Sequence, residues 1–387
     1  MATYTRTPYL IVTREAQARK DVYGSVDDAV VLQAQLLRGA EPSTTAFIAM
    51  HPIGSPGYLP MFSNLARAGH DVVACATRYT NGDAALQMEN VLLDLAACVR
   101  DARERLGYER VVLVGWSGGG SVMAAYQAEA ERRTITKTAA GEPTPLADTE
   151  LLPADGLLLI ATHRSRHHLL TDLLDASIVD ELDPDKRERD LDLYDPANPN
   201  QPPYDPTFLS TYRDAQRQRN RRISEWAKER LAELRATNRA DEERCFLVHG
   251  TMADPRWLDP SVDPNDRRPG WSYLGDPRVA NNSAAALARY TTTRSWLSQW
   301  SLDDAQVDAV DAAPRITVPA LVVTANADDA CPPSHADLIF DGLASPDKER
   351  AEVAGANHYF SGPGGREHLA EAAGIIGAWA AARGFTG

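Results

Sequence analysis

Residues 109–127 read ERVVLVGWSGGGSVMAAYQ, and no other stretch limits the fold so tightly. The apolar run Val111–Val114 stops at Gly115, one serine follows two residues later, and Gly118, Gly119 and Gly120 lead into small, helix-compatible residues. A β-branched run, a glycine corner and a helix make the strand–loop–helix step of an α/β protein. Glycine corners at that step often cradle phosphate, but no lysine follows to complete a P-loop. A dinucleotide fingerprint would need glycine where Ser117 stands. The pattern met is G-x-S-x-G, Gly115-Trp116-Ser117-Gly118-Gly119, in which a nucleophile sits on a strained turn and its neighbours two before and two after must lack bulk.

The rest of the chain supplies the sheet such a turn needs. Short apolar segments alternate with helical ones: PYLIVT paired antiparallel with VVLQAQLL (30–37), then TAFIAMH (45–51), DVVACAT (71–77), the Ser117 strand and DGLLLIATH (155–163). Residues 85–107 read as one amphipathic helix with Val91, Leu92, Leu95, Val99 and Leu106 on a face, ended by Gly107. This alternation predicts a mostly parallel sheet flanked by helices. From about His163 to Pro314 the rhythm breaks into charge, proline and aromatics, with a helix expected over ISEWAKERLAEL (223–234). It resumes at ITVPALVVTANADD (316–329) and ends in a helix from about 367. The expected division is therefore a core of 1–162 and 315–387, interrupted after the sixth strand by a mainly helical insertion, 163–314.

A serine hydroxyl needs a base to take its proton, and the base an acid to orient it, in the chain order serine, acid, histidine. After the strand PALVVTA stand Asp328 and Asp329; Asp328, four before Pro332, is the expected acid. His358, in the loop after the last strand, is the expected base; His368 lies within the final helix and is expected to face solvent. Attack on a carbonyl also requires donors for the oxyanion. The backbone N–H of Gly118 is one; Pro52 cannot donate, which leaves Ile53 for the other. His163, His167 and His168 in HRSRHH are three further histidines, for which no carboxylate or cysteine ligand lies at close spacing.

Together Gly115–Gly119, His51–Gly54, Asp328 and His358 resemble the α/β-hydrolase superfamily on its serine-esterase, lipase and peptidase side. The resemblance spans about 25–161 and 315–385 and departs from the family pattern at Pro52 and at Ala325. It implies an α/β-hydrolase fold, a cap formed by the insertion, and hydrolysis of an ester, lactone or thioester through an acyl-enzyme on Ser117. It implies neither cofactor nor metal. An acyltransferase, an amidase, a C–C-bond hydrolase or a non-catalytic ligand binder shares the same outline. Substrate contacts are expected from His51, Trp116, Trp257, Trp271, Trp296, Trp300 and Tyr359, with Trp226 and Tyr273 as further aromatic candidates, for a bulky small molecule. Each cap tryptophan has a plain alternative in the insertion's own core. The arginines of RQRNRR (217–222) are read as the solvated face of a helix.

A net charge of −14 argues against nucleic acid as a partner. The N-terminus has no secretory pattern and no apolar run reaches membrane-spanning length. Four scattered cysteines read as free thiols of a cytoplasmic protein, with a homodimer left open.

Overall fold

Strands form where aliphatic and β-branched residues run unbroken, and in this chain most of those runs are buried along their whole length. The computed structural model describes residues 3–15, 20, 22 and 28–386. Its main sheet has eight strands: β1 (Thr5–Arg14), β2 (Ala29–Arg38), β3 (Thr45–His51), β4 (Asp71–Ala76), β5 (Arg110–Trp116), β6 (Gly156–Ile160), β9 (Ala320–Ala325) and β10 (Lys348–Val353). β7 (Cys245–Leu247) and β8 (Tyr290–Thr292) pair separately. The order across the sheet is β1-β2-β4-β3-β5-β6-β9-β10. β2 runs antiparallel to both neighbours and every pairing from β4 onward is parallel.

Two-residue periodicity divides the side chains of each central strand between two layers. Ala46, Ile48 and Met50 of β3, with Val111 and Leu113 of β5, face one cluster; Phe47, Ala49, Val112 and Val114 face the other. Helices α2 (Met88–Glu104), α3 (Gly118–Glu131), α9 (Ala309–Ala312) and α10 (Pro333–Gly342) cover the first layer. Helices α1 (Pro60–Arg67) and α11 (Gly365–Ala382) cover the second. This is the α/β-hydrolase fold that the sequence led us to expect. No helix among the described residues is long and apolar enough to cross a membrane.

Between β6 and β9 lie α4 (Arg166–Leu173), α5 (Pro206–Ala236), α6 (Pro255–Leu258), α7 (Pro277–Asn281), α8 (Thr293–Gln299) and the β7–β8 ribbon, before α9 returns to the sheet. α5 is much longer than the expected 223–234. Its first half buries Phe208 and Tyr212 and then the polar Gln216, Arg219 and Asn220. Gln216 Nε2 donates to the carbonyls of Asp172 and Leu174, and Asn220 Nδ2 donates to the Trp300 carbonyl. α2 likewise starts at Met88, three residues later than expected, after a turn in which Leu86 N donates to Asp83 O.

Polar contacts tie this segment to two connections of the sheet. Ser295 Oγ and Gln299 Nε2 donate to the Asp83 carbonyl, and Thr292 N to the Ala84 carbonyl, in the connection after β4. Asn265 Nδ2 donates to Asp328 O, and Trp257 Nε1 to Asp329 O, in the connection after β9.

Candidate active site

β5 delivers the chain to Ser117, whose φ of 54° and ψ of −127° lie outside the ordinary regions for a residue with a side chain. The turn is held by Ser117 N donating to Ile160 O and Gly120 N donating to Ser117 O, both at 3.1 Å. α3 begins at the next residue. The glycines around it are a steric requirement. A Cβ on Gly115 would stand 2.7 Å from Gly120 N, one on Gly119 would overlap the Met50 carbonyl oxygen, and one on Gly120 would stand 2.7 Å from Thr162 Cβ.

The structure brings Asp328 and His358 together, both almost fully buried. His358 Nδ1 lies 3.0 and 3.1 Å from the two Asp328 oxygens. A carboxylate only accepts, so Nδ1 carries the proton and Nε2 keeps its lone pair. Asp328 Oδ1 also accepts from Ala330 N and Cys331 N, each at 2.8 Å, which fixes the carboxylate before the histidine meets it. Burial and the neighbouring Asp328 charge push the Asp329 carboxyl up to about 6. The Asp329 backbone carbonyl receives the Trp257 indole N–H.

Cys331 was not singled out by the sequence. Its sulfur, an Asp328 oxygen and a His358 nitrogen all lie within 4.8 Å of one another. Thiol, imidazole and carboxylate thus form one cluster, and the ring of Trp116, the residue before Ser117, stacks on its imidazole. His368 sits apart from it, half-buried against Gly355 and Gly364 instead of facing solvent.

On the other side of Ser117, two imidazoles close on the start of α3. A Cβ at Gly118 would meet His51 Nε2 at 3.2 Å and His163 Nε2 at 3.3 Å. His51 Nδ1 is 2.8 Å from the Ile53 carbonyl and 3.3 Å from the Ile53 N–H. One ring nitrogen cannot serve both. The shorter contact puts the proton on Nδ1, and the Ile53 N–H is then released from the ring. Burial holds His51 down to about 4 and His163 to about 3, so both are neutral near pH 7. His163 follows β6 directly and had no distinguishing signal within HRSRHH.

The aromatic residues separate into two groups. Trp116 stacks 4.7 Å from the His358 ring and 5.3 Å from Tyr359, and its Nε1 donates to the His358 carbonyl. Tyr273 lies 6.4 Å from His358, and Trp257 6.4 Å from Tyr273, so two rings lead away from the histidine. Trp296 and Trp300 are enclosed in the insertion's own core with Ile223, Ala227 and Leu231 and are not brought to Ser117. Trp271 is exposed under Arg268, and Trp226 packs on Phe246.

His167 Nε2 and His168 Nε2 stand 3.5 and 3.7 Å from Asp308 Oδ2, a carboxylate some 140 positions on that local spacing had not revealed. The Arg164 guanidinium holds that same oxygen at 2.8 Å, so a cation there would have to displace it.

No family model and no curated protein matches the sequence. Among solved structures, the chain is similar to a monoacylglycerol lipase from Paleococcus ferrophilus (15% identity, 90% of this chain and 99% of that one, TM-score 0.45). Others are Est1E from Butyrivibrio proteoclasticus (10%, 91% and 96%, 0.45) and the esterase domain of a Rhodothermus marinus protein (11%, 97% and 98%, 0.43). It is the strand order and the turn at Ser117 that mark the fold.

Proposed function

We propose that the chain is a serine hydrolase that cleaves a carboxylic ester, lactone or thioester of a bulky small molecule through an acyl-enzyme on Ser117. The observation that carries the reading is the buried His358–Asp328 pair, with Trp116 stacked on the imidazole and the next residue, Ser117, held on a positive-φ turn. Ser117 Oγ attacks the carbonyl carbon while His358 Nε2 takes its proton. Asp328 keeps Nδ1–H in place and stabilises the imidazolium. The carbonyl oxygen, now negative, accepts from the N–H groups of Ile53 and Gly118; Gly118 opens a helix, where N–H groups lack intrahelical partners. The alcohol or thiol leaves with the proton from Nε2, and water repeats the sequence to free the acid.

In this reading residues 163–314 are a cap on the core formed by 1–162 and 315–387. The rings of Trp116, Tyr273, Trp257 and Tyr359 form an apolar wall for the acyl or alcohol group, with His51 beside the oxyanion donors. Four free cysteines suit a reducing cytoplasm.

The test is covalent labelling by a fluorophosphonate, read by intact mass, with a panel of p-nitrophenyl esters, lactones and thioesters. Wild type should gain one adduct and Ser117→Ala none. Equal labelling of both would remove Ser117 from the reaction.

A further inference from the structure

Arg166 opens α4 with only 5% of its surface exposed and an incomplete set of partners. Its Nη2 donates to Asp83 Oδ2 at 2.6 Å, and its guanidinium lies over the Trp300 ring with Cζ 4.1 Å from the centroid. No acceptor among the described residues meets its Nε–H. A buried N–H without an acceptor forfeits its hydration with nothing in return, and the loss is larger on a charged group. Two further buried polar atoms around Asp83 are unmatched: Trp300 Nε1, on the ring that Arg166 covers, and Gln299 Oε1, whose amide nitrogen donates to the Asp83 carbonyl. Three other arginines of the insertion are matched by carboxylates: Arg217 by Asp214, Arg219 by Glu181, Arg221 by Asp303.

Arg166 lies three residues after His163, which with His51 flanks Gly118. The Arg166 charge opposes protonation of both His51 and His163, the rings that flank Gly118, and it acts on the hydroxyl of Tyr273, the ring next to His358. A planar group with two acceptor oxygens matches an Arg edge bidentately. Asp83 already balances the guanidinium, which favours a monoanion over a phosphate dianion that its carboxylate would repel.

We infer that Arg166 receives a carboxylate carried by the substrate, and that the chain prefers esters bearing one free acid group, such as half-esters of dicarboxylic acids, to neutral esters of the same size. The inference rests on the hydrolase reading above and narrows its substrate class. The Arg166 Nε–H is the donor on offer.

The experiment compares kcat/KM for p-nitrophenyl hemisuccinate, hemiglutarate and hemiadipate with butanoate, pentanoate and hexanoate, and for 4-carboxyphenyl with phenyl pentanoate. It uses wild type, Arg166→Lys and Arg166→Met. Wild type should favour the acid member of at least one pair. Arg166→Met should collapse that ratio by about 100-fold, the scale for removing one partner of a buried charged contact, and Arg166→Lys should restore part of it. A wild-type ratio near one, needing no variant to fold, overturns the inference. So does an equal loss on acid and neutral esters, which would make Arg166 structural or a transition-state group. Calorimetric binding of monomethyl glutarate to Ser117→Ala, absent in Ser117→Ala/Arg166→Met, reads the site without turnover. If no ester is cleaved and Ser117 is never labelled, the hydrolase reading has failed while this binding still reports on Arg166. Absence of binding to Ser117→Ala means that buried water alone satisfies the cluster, and the inference falls.

Discussion

Gly120→Ala places one methyl group where Thr162 stands. The new Cβ would lie 2.7 Å from Thr162 Cβ and overlap its Cγ2 and Oγ1, so Thr162 or the start of α3 must move by about 1 Å to reach ordinary contact. Overpacking of this kind costs about 1–3 kcal/mol, offset by roughly 1 kcal/mol from the helix preference of alanine over glycine. For 387 residues the unfolding entropy is about 0.8 kcal/mol/K, so Tm should fall by no more than about 4 °C. Activity should suffer far more. Gly120 N holds the Ser117 carbonyl, and a displacement of about 1 Å at a nucleophile costs on the order of 100-fold in turnover. Thr162→Gly in the same chain removes every side-chain atom that the methyl meets and should restore most of the lost kcat/KM. Gly119→Ala, which strikes the Met50 carbonyl, should resist such rescue, because backbone cannot be trimmed. Calorimetry and p-nitrophenyl ester turnover on the four proteins decide the matter. Full activity in Gly120→Ala, or no gain from Thr162→Gly, would refute the claim that these glycines exist to seat the serine.

Two further outcomes follow from the same geometry. Asp328→Asn should lower kcat by orders of magnitude with the fold intact, since an amide facing Nδ1 favours the wrong tautomer, while Asp329→Asn should be mild; reversed effects would assign the acid to Asp329. His358→Gln belongs with the first of these and His368→Gln with the second. Acid should destabilise the protein: His51 at about 4 and His163 at about 3 lie below the unfolded value near 6.5, so their contribution is full above pH 6.5 and is lost as pH falls below it. Asp329, raised to about 6, works in the opposite sense below pH 6, leaving a net loss on the order of 2 kcal/mol from these three groups between pH 6.5 and 5. Urea midpoints unchanged across that interval would show that the two imidazoles are hydrated.

The sheet and the Ser117 turn were legible because they depend on short-range chemistry: period-two apolar runs and glycines within five positions of a serine. Asp328 and His358 were legible for a related reason, each being the polar residue in the connection after a readable strand. Hydrophobic periodicity breaks in the middle of α5, where Gln216, Arg219 and Asn220 occupy the buried face between Tyr212 and Ile223 through long-range hydrogen bonds. It failed for the tryptophans too, since a ring in the core of the insertion and a ring beside the histidine obey the same apolar pattern. The pairings of His167 and His168 with Asp308, and of Arg166 with Asp83, join residues over 80 positions apart and carry no local signature.

The insertion also sets an order of events. Leu157 of β6 pairs with Ala320 of β9, 163 positions along the chain, whereas β3, β4 and β5 pair across far shorter spans. Closing so long a loop costs about 2 kcal/mol more than closing a dozen residues, unless the intervening segment has already drawn its ends together. β9 and β10 therefore dock late, and they are the strands whose following connections carry Asp328 and His358. On dilution from denaturant, esterase activity should return after the far-ultraviolet helical signal, because the serine is seated by the part of the chain that assembles first and its partners by the part that arrives last.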